Sequence, residues 1–230
     1  MSKLKCQFHC HTGQDPVDYI RHTERGLIDR AAKLGYDVLA ISCHNVVIFN
    51  DDLRKYAAAK RILLIPAIEK TVEKKHILIL NADVSAQNIK SFKDLRKYKN
   101  TKKDCLIIAP HPFYPGNSAV NKQLYENLEL FDGLEYCWFH SPRTNRCNKK
   151  AVKMAETYKL PIIATSDNHN LKYLDSAFSI VTAEKNIKSI FSAIKKNHIQ
   201  IVSHGLPLWK MAFIYGKMIF LSLVKVLAPR

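Results

Sequence analysis

The 230-residue sequence has six cysteines, at positions 6, 10, 43, 105, 137 and 147, with no Cys-x-x-Cys pair among them. This spacing excludes a disulfide-dense framework, and a chain of this length can build its core without one. The first residues, Met1-Ser2-Lys3-Leu4-Lys5, turn polar before the apolar core of a signal peptide develops. Both features predict a reduced, cytoplasmic protein. There is no internal repeat and no Gly/Ser-rich linker, so no domain boundary is expected before about residue 205. Acidic residues are scarce: 20 Asp plus Glu face 36 Lys plus Arg, a formal charge of +16. That surplus favours anionic partners such as nucleic acid, anionic lipid or phosphorylated small molecules, although a biased proteome would give the same arithmetic. With 47% hydrophobic and 24% charged residues, a mainly disordered chain is excluded.

Short apolar runs recur, each followed by a helical pattern. Leu4–Phe8, Val38–Ser42, Ile62–Ile65, His76–Leu80, Cys105–Ala109, Gly133–Cys137 and Pro161–Thr165 read as strands, most of them too apolar to have a wet face. Leu27, Ile28, Ala31 and Leu34 share a helix face, with Thr23 as N-cap and Gly35 as the stop. Ala151, Val152, Ala155 and Tyr158 form a second such face, and Ile187, Ile190, Phe191 and Ile194 a third. Buried strands alternating with helices predict an α/β fold with a mainly parallel sheet. No Gly-x-Gly-x-x-Gly or P-loop is present, and the polar clusters fall at the C-terminal ends of several strands. That distribution favours a closed, TIM-like (β/α)7 barrel over an open sheet.

Those clusters are rich in histidine. His9-Cys10-His11-Thr12 follows the first strand, and His9 and His11, two apart, are expected to project into one space. Ser42-Cys43-His44-Asn45 follows the second strand, Glu69 lies just past the third, and His76 opens the fourth. Pro110-His111-Pro112 and Ser166-Asp167-Asn168-His169 follow the fifth and seventh. Any one of these histidines alone reads as an ordinary structural residue. Together with Glu69 and Asp167 they predict a metal site, suited to zinc, manganese or iron rather than to calcium or magnesium alone. So many groups exceed the needs of one tetrahedral ion, so two or three divalent ions are expected, with Glu69 able to bridge. His22, His140, His198 and His204 have no comparable partners and are assigned structural roles. Cys10 is expected to point away from the site.

With these motifs in order along residues 4–204, the sequence resembles the PHP (polymerase and histidinol phosphatase) family, whose members look like distorted seven-stranded barrels holding up to three metal ions. The resemblance implies a metal-dependent phosphoesterase. It places His9, His11, Glu69 and Asp167 on one ion, Glu69, His76 and His111 on a second, and His44 and His169 on a third, with Asp15 as an extra ligand. Glu69, Asp167 and His111 are the expected catalytic groups. Two departures stand out: Gln7 where the first motif usually has an acid, and Cys43 where the second usually has Asp.

The expected reaction is hydrolysis of a phosphomonoester or phosphodiester by metal-activated hydroxide. Three divalent ions carry six positive charges, of which Glu69, Asp167 and Asp15 return at most three, so an anionic, phosphorylated small molecule is the expected substrate. A nuclease would use the same centre, with Lys90–Lys103 and Arg143–Lys159 as basic stretches, although solvated helix faces are the favoured reading of both. A hydrolase of C–N bonds and a non-catalytic metal-binding module are the remaining alternatives. Residues 206–230 are overwhelmingly apolar, and Lys210, Lys217 and Lys225 fall within a helical stripe about 80° wide. No run reaches the roughly 18 uncharged residues of a spanning helix. The tail is read as a C-terminal helix that either packs on the barrel or a second subunit, or lies on an anionic membrane as a peripheral anchor. The second is favoured.

Overall fold

The structure, a computed structural model, describes residues 1–214 and 216. Its strands are β1 (Ser2–Gln7), β2 (Val38–Ile41), β3 (Leu63–Val72), β4 (Lys75–Leu80), β5 (Leu106–Ala109), β6 (Gly133–Cys137), β7 (Ile162–Thr165), β8 (Ala177–Ala183) and β9 (Ile199–Ser203). They form one sheet in the order β7-β6-β5-β4-β3-β2-β1-β8-β9. Between them lie α1 (Glu24–Lys33), α2 (Asp51–Ala59), α3 (Phe92–Thr101), α4 (Lys122–Glu126), α5 (Arg146–Tyr158) and α6 (Ile187–Lys195).

The pairings β1–β2, β2–β3, β5–β6 and β6–β7 are parallel. Those of β4 with β3 and β5, and of β8 with β1 and β9, are antiparallel. All strands except β4 and β8 therefore point the same way and gather their C-terminal ends at one rim. There the sheet nearly closes on itself into a barrel. Beyond the ends of β1 and β7, Cys10 bridges Asn168, with His11 N donating to Asn168 O (2.9 Å) and Asn168 N to His9 O (3.1 Å). The barrel expected from the sequence is present, with β8 and β9 added beyond the seven strands read there.

Both faces of the strands are buried, which is why they read as continuous apolar runs. In β2, Val38 and Ala40 join Phe8, Ile65, Ala67, Leu78, Leu80, Leu106, Ile108 and Ile163 inside the barrel, while Leu39 and Ile41 join Leu27, Ile28 and Ala31 of α1 outside it. Each such fully buried large side chain contributes about 1.5–3 kcal/mol. Ile190, Phe191 and Ile194 of α6 join the interior cluster and close the end opposite the rim. Thr23 caps α1 by accepting from Gly26 N, and Gly35, at φ +72°, ends it in the left-handed region. Gly133 opens β6 where a Cβ would lie 2.7 Å from Ile163 Cδ1, a distance no other residue could accept without a shift. One helix face departs from expectation. In α5 the buried residues are Asn148, Ala151, Met154 and Ala155, and Tyr158 is exposed, because Asn148 turns inward to bond both backbone groups of Cys137.

Candidate metal centre

The sequence-predicted ligands gather at the rim, with Asp15 on the Nδ1 side of His11 and His44. His9 and His11 lie on the extended continuation of β1, with ring centroids 5.1 Å apart, and His44 follows β2. Glu69 lies within β3, bridged to His44, and His76 opens the antiparallel β4, which brings it back to the same end. His111 follows β5 and Asp167 follows β7, and both hold positive φ, +73° and +42°. A non-glycine residue in that region costs about 1–3 kcal/mol and persists where surrounding structure enforces it, which suits side chains that must be aimed.

The distances separate two kinds of contact. His9 Nε2 and His11 Nε2 each lie 3.3 Å from both Glu69 Oε2 and Asp167 Oδ1. Those separations are long for charge-assisted hydrogen bonds, which run about 2.7–2.9 Å. They match the edge of a tetrahedron with metal–ligand bonds of about 2.0–2.1 Å, which is roughly 3.3–3.4 Å. His9 Nε2, His11 Nε2 and Asp167 Oδ1 are buried without hydrogen-bond partners. The opposite ring nitrogens are occupied at hydrogen-bond distance: His9 Nδ1 meets Glu135 Oε1 at 2.8 Å and His11 Nδ1 meets Asp15 Oδ2 at 2.8 Å. Orphaned Nε2 atoms on one side and carboxylate-held Nδ1 atoms on the other fit a divalent cation. The outer carboxylates fix each ring's tautomer and direction.

Glu69 is shared. Its Oε1 lies 3.0 Å from His76 Nδ1 and 3.1 Å from His111 Nε2, and its Oε2 lies 3.0 Å from His44 Nε2. Asp15 is placed differently. Its Oδ2 accepts from His11 Nδ1, His44 Nδ1 and His44 N, and its Oδ1 from Val17 N and Asp18 N. It stands behind the histidines with its lone pairs taken. His169, 39% exposed at the mouth, instead meets Asp18 Oδ2 at 3.1 Å, and Asp18 also lies 3.7 Å from His44 Nδ1.

Burial opposes charge on His9 and His11. Yet Asp167, Glu69 and Glu135 beside His9, and Asp15, Asp167 and Glu69 beside His11, raise both rings well above the usual imidazole range. Burial likewise opposes ionisation of Glu69 and Asp167, but the surrounding histidines hold both carboxyls well below theirs. The cluster demands positive charge. Protons supply it on the imidazoles, and a cation would supply it in their place and release them.

Two residues went unseen in the sequence. Glu135, fully buried in β6, meets His9 and accepts from Thr165 Oγ1, and a carboxylate inside an otherwise apolar strand was the available signal. Asp18 carries no signal beyond lying near Asp15. Gln7 turns out to be architectural: it donates to Leu174 O and Ala177 O and accepts from Ser166 N, tying β1 to the segments around β7 and β8. Cys10 packs outside with Leu27 and Ile28, and Cys43 contacts Thr12 Oγ1, so neither faces the cluster.

Residues 145–199, from the start of α5 to β9, match the family model for the PHP-associated segment. Among solved structures, a two-domain protein from Bacteroides vulgatus containing a predicted PHP-like metal-dependent phosphoesterase is similar at 19% identity and TM-score 0.66. The match covers 88% of this chain and 65% of that one, so the chain spans just under two thirds of that relative's length. A predicted metal-dependent phosphoesterase from Bifidobacterium adolescentis is similar at 16% identity and TM-score 0.56, over 72% and 87% of the two chains. A lesion-specific endonuclease from Pyrococcus furiosus is similar at 15% identity and TM-score 0.62, over 87% and 58%. No curated protein matches. At these identities the likeness is one of fold alone.

Proposed function

We propose that this PHP-fold chain is a metal-dependent phosphoesterase that hydrolyses a phosphomonoester or phosphodiester of a small molecule. The observation that carries the reading is the set of unpartnered Nε2 and carboxylate atoms at tetrahedral-edge spacing around His9, His11, Glu69 and Asp167. These four would hold one ion, and Glu69, His76 and His111 a second. His44 and His169 would hold a third with the loop acids beside them, Asp18 at His169 Nε2 and Asp15 at His44 Nδ1. Zinc, manganese and iron suit these donors. Bound divalent ions would supply Lewis acidity and a water acidified toward neutrality.

The chain's own residues do the rest. Glu69 offers one oxygen to each of two positions and so holds them close enough to clamp the two sides of one phosphoryl group. Asp15 and Glu135 keep His11, His44 and His9 from rotating away. The charge count is tighter than the sequence suggested, because Glu135 and Asp18 raise the acids to five with Glu69, Asp167 and Asp15. With neutral imidazoles, two divalent ions leave the cluster one negative charge, whereas three leave it one positive charge. Binding of an anionic phosphoester therefore requires the third ion. A nuclease is the second reading, favoured by the net charge and the fold shared with the Pyrococcus endonuclease. Against it, three of the seven cations of the 90–103 stretch are tied to acids: Arg96 to Glu129, Lys99 to Asp132 and Lys102 to Asp104. Tyr98 is buried rather than free to stack. The test is a panel of nucleotides, sugar phosphates and short oligonucleotides at two salt concentrations. Small-ester turnover with little salt dependence supports the reading, and faster, salt-sensitive oligonucleotide cleavage replaces it with the nuclease.

A further inference from the structure

The rim that carries the histidines also carries an unusual outer surface. β9 runs parallel to β1 and ends at Ser203, opposite Ala177 at the start of β8, so the chain leaves the sheet at the metal end. It stays there. Leu206 N donates to His140 O in the loop after β6, and residues 208–214 form a helix whose Lys210 Nζ lies 5.5 Å from the ring of Tyr173, four residues past His169. This helix turns Trp209 (73% exposed) and Phe213 (70%) to solvent. Across the mouth, the loop holding Asp15 and Asp18 exposes Tyr19 (79%). Arg21, Arg143, Lys172 and Lys210 lie on the same loops and helix, and none makes an ion pair among the described residues. The remainder of the sequence, residues 217–230, adds Lys217, Lys225 and Arg230 to mostly apolar side chains, and no acid occurs anywhere in 206–230.

We infer that this rim docks on an anionic lipid bilayer, with Trp209, Phe213 and Tyr19 entering the headgroup boundary and the surrounding cations meeting lipid phosphates. Aromatic groups ringed by unpaired cations and followed by an acid-free, mostly apolar segment suit such a surface, since bases could stack on the aromatic rings but would leave the aliphatic side chains of that segment without a partner. No helix among the described residues is long and apolar enough to cross a membrane. Resting on the phosphoesterase reading above, the docked orientation turns the metal centre toward the headgroups, and its substrate class becomes a phosphoester carried at a lipid surface.

Vesicle flotation tests the docking without reference to catalysis. The full chain is mixed with phosphatidylcholine vesicles, with or without phosphatidylglycerol, and compared with a Trp209→Ser/Phe213→Ser variant whose metal content and soluble-ester turnover are measured alongside. Flotation with the anionic vesicles only, weakened by salt and reduced more than about tenfold in the variant, is the expected result. Failure to float, equal flotation with neutral vesicles, or unchanged binding by the variant overturns the docking. So does a dimer that the variant abolishes without any vesicle binding, since the face would then belong to a second copy. Turnover of a vesicle-borne monoester above that of its soluble counterpart, lost in the variant, supports the substrate class, and equal turnover overturns it. Loss of all turnover with docking intact would instead count against the phosphoesterase reading.

Discussion

Replacing Glu69 with Gln probes the centre at its most connected point. The amide keeps the shape of the side chain but removes the charge that His9, His11, His44, His76 and His111 all face within 3.3 Å. A supporting residue one layer away from a metal typically costs 10–100-fold in affinity, about 1.4–2.7 kcal/mol. Glu69 faces two ion positions directly, one through each oxygen, so the losses multiply to at least about 10²–10⁴-fold, or roughly 3–5.5 kcal/mol. A single histidine serves one position and should cost less. The assay is metal analysis after exchange against a weak chelator, paired with thermal unfolding with and without added manganese or zinc. The Glu69→Gln substitution should abolish the metal-induced rise in unfolding temperature while leaving a folded metal-free protein. Retention of the full metal complement, together with wild-type phosphoester turnover, would refute the reasoning.

Glu135→Gln should weaken metal binding about 10–100-fold through His9 alone, leaving secondary structure intact; unchanged affinity by titration would deny Glu135 its orienting role. Asp18→Asn should remove one metal equivalent and, with it, phosphoester turnover, and activity that reaches its maximum at two equivalents in the wild type would contradict the charge count. Asp15→Asn should instead lower stability by about 1–3 kcal/mol, since it removes the charge facing His11 and His44 and leaves one amide oxygen for donors that now meet two carboxylate oxygens, as chemical denaturation would show. Burial works against charge on His44, but Asp15 and Glu69 raise its pKa from 6.5 to about 9. In the metal-free protein this pairing is fully present below about pH 6.5 and is lost as pH rises through about 9, a contribution of roughly 3 kcal/mol by linkage. Metal-free stability should thus fall over that interval while metal affinity rises, and parallel trends would contradict the assignment.

The barrel was legible because its strands are buried on both faces, so Val38–Ile41 and Leu106–Ala109 carry no polar interruption. β8 and β9 were not. Ala177–Ala183 is interrupted by Ser179 and Thr182, and Ile199–Ser203 is half-exposed, so neither has the signature that marked the rest. The histidine clusters announced themselves by falling at strand ends. What the sequence could not show was which acids stand behind the rings and which stand among them. Asp15 and Asp18 are three residues apart in one loop, and only the fold reveals that backbone amides saturate the first and leave the second facing His169. Gln7 read as a lost acid, yet a carboxylate reaches His9 from β6, a strand 126 residues away in sequence.

The central claim is that phosphoester hydrolysis depends on the ions this cluster holds. It is tested most directly by measuring metal per chain and turnover of a phosphomonoester and a phosphodiester on the same sample, before chelation, after it, and after stepwise return of manganese or zinc. Stripped protein should show negligible turnover, with recovery that begins only as the third equivalent binds. Turnover that survives complete metal removal, or fully loaded protein that cleaves no phosphoester, would contradict it.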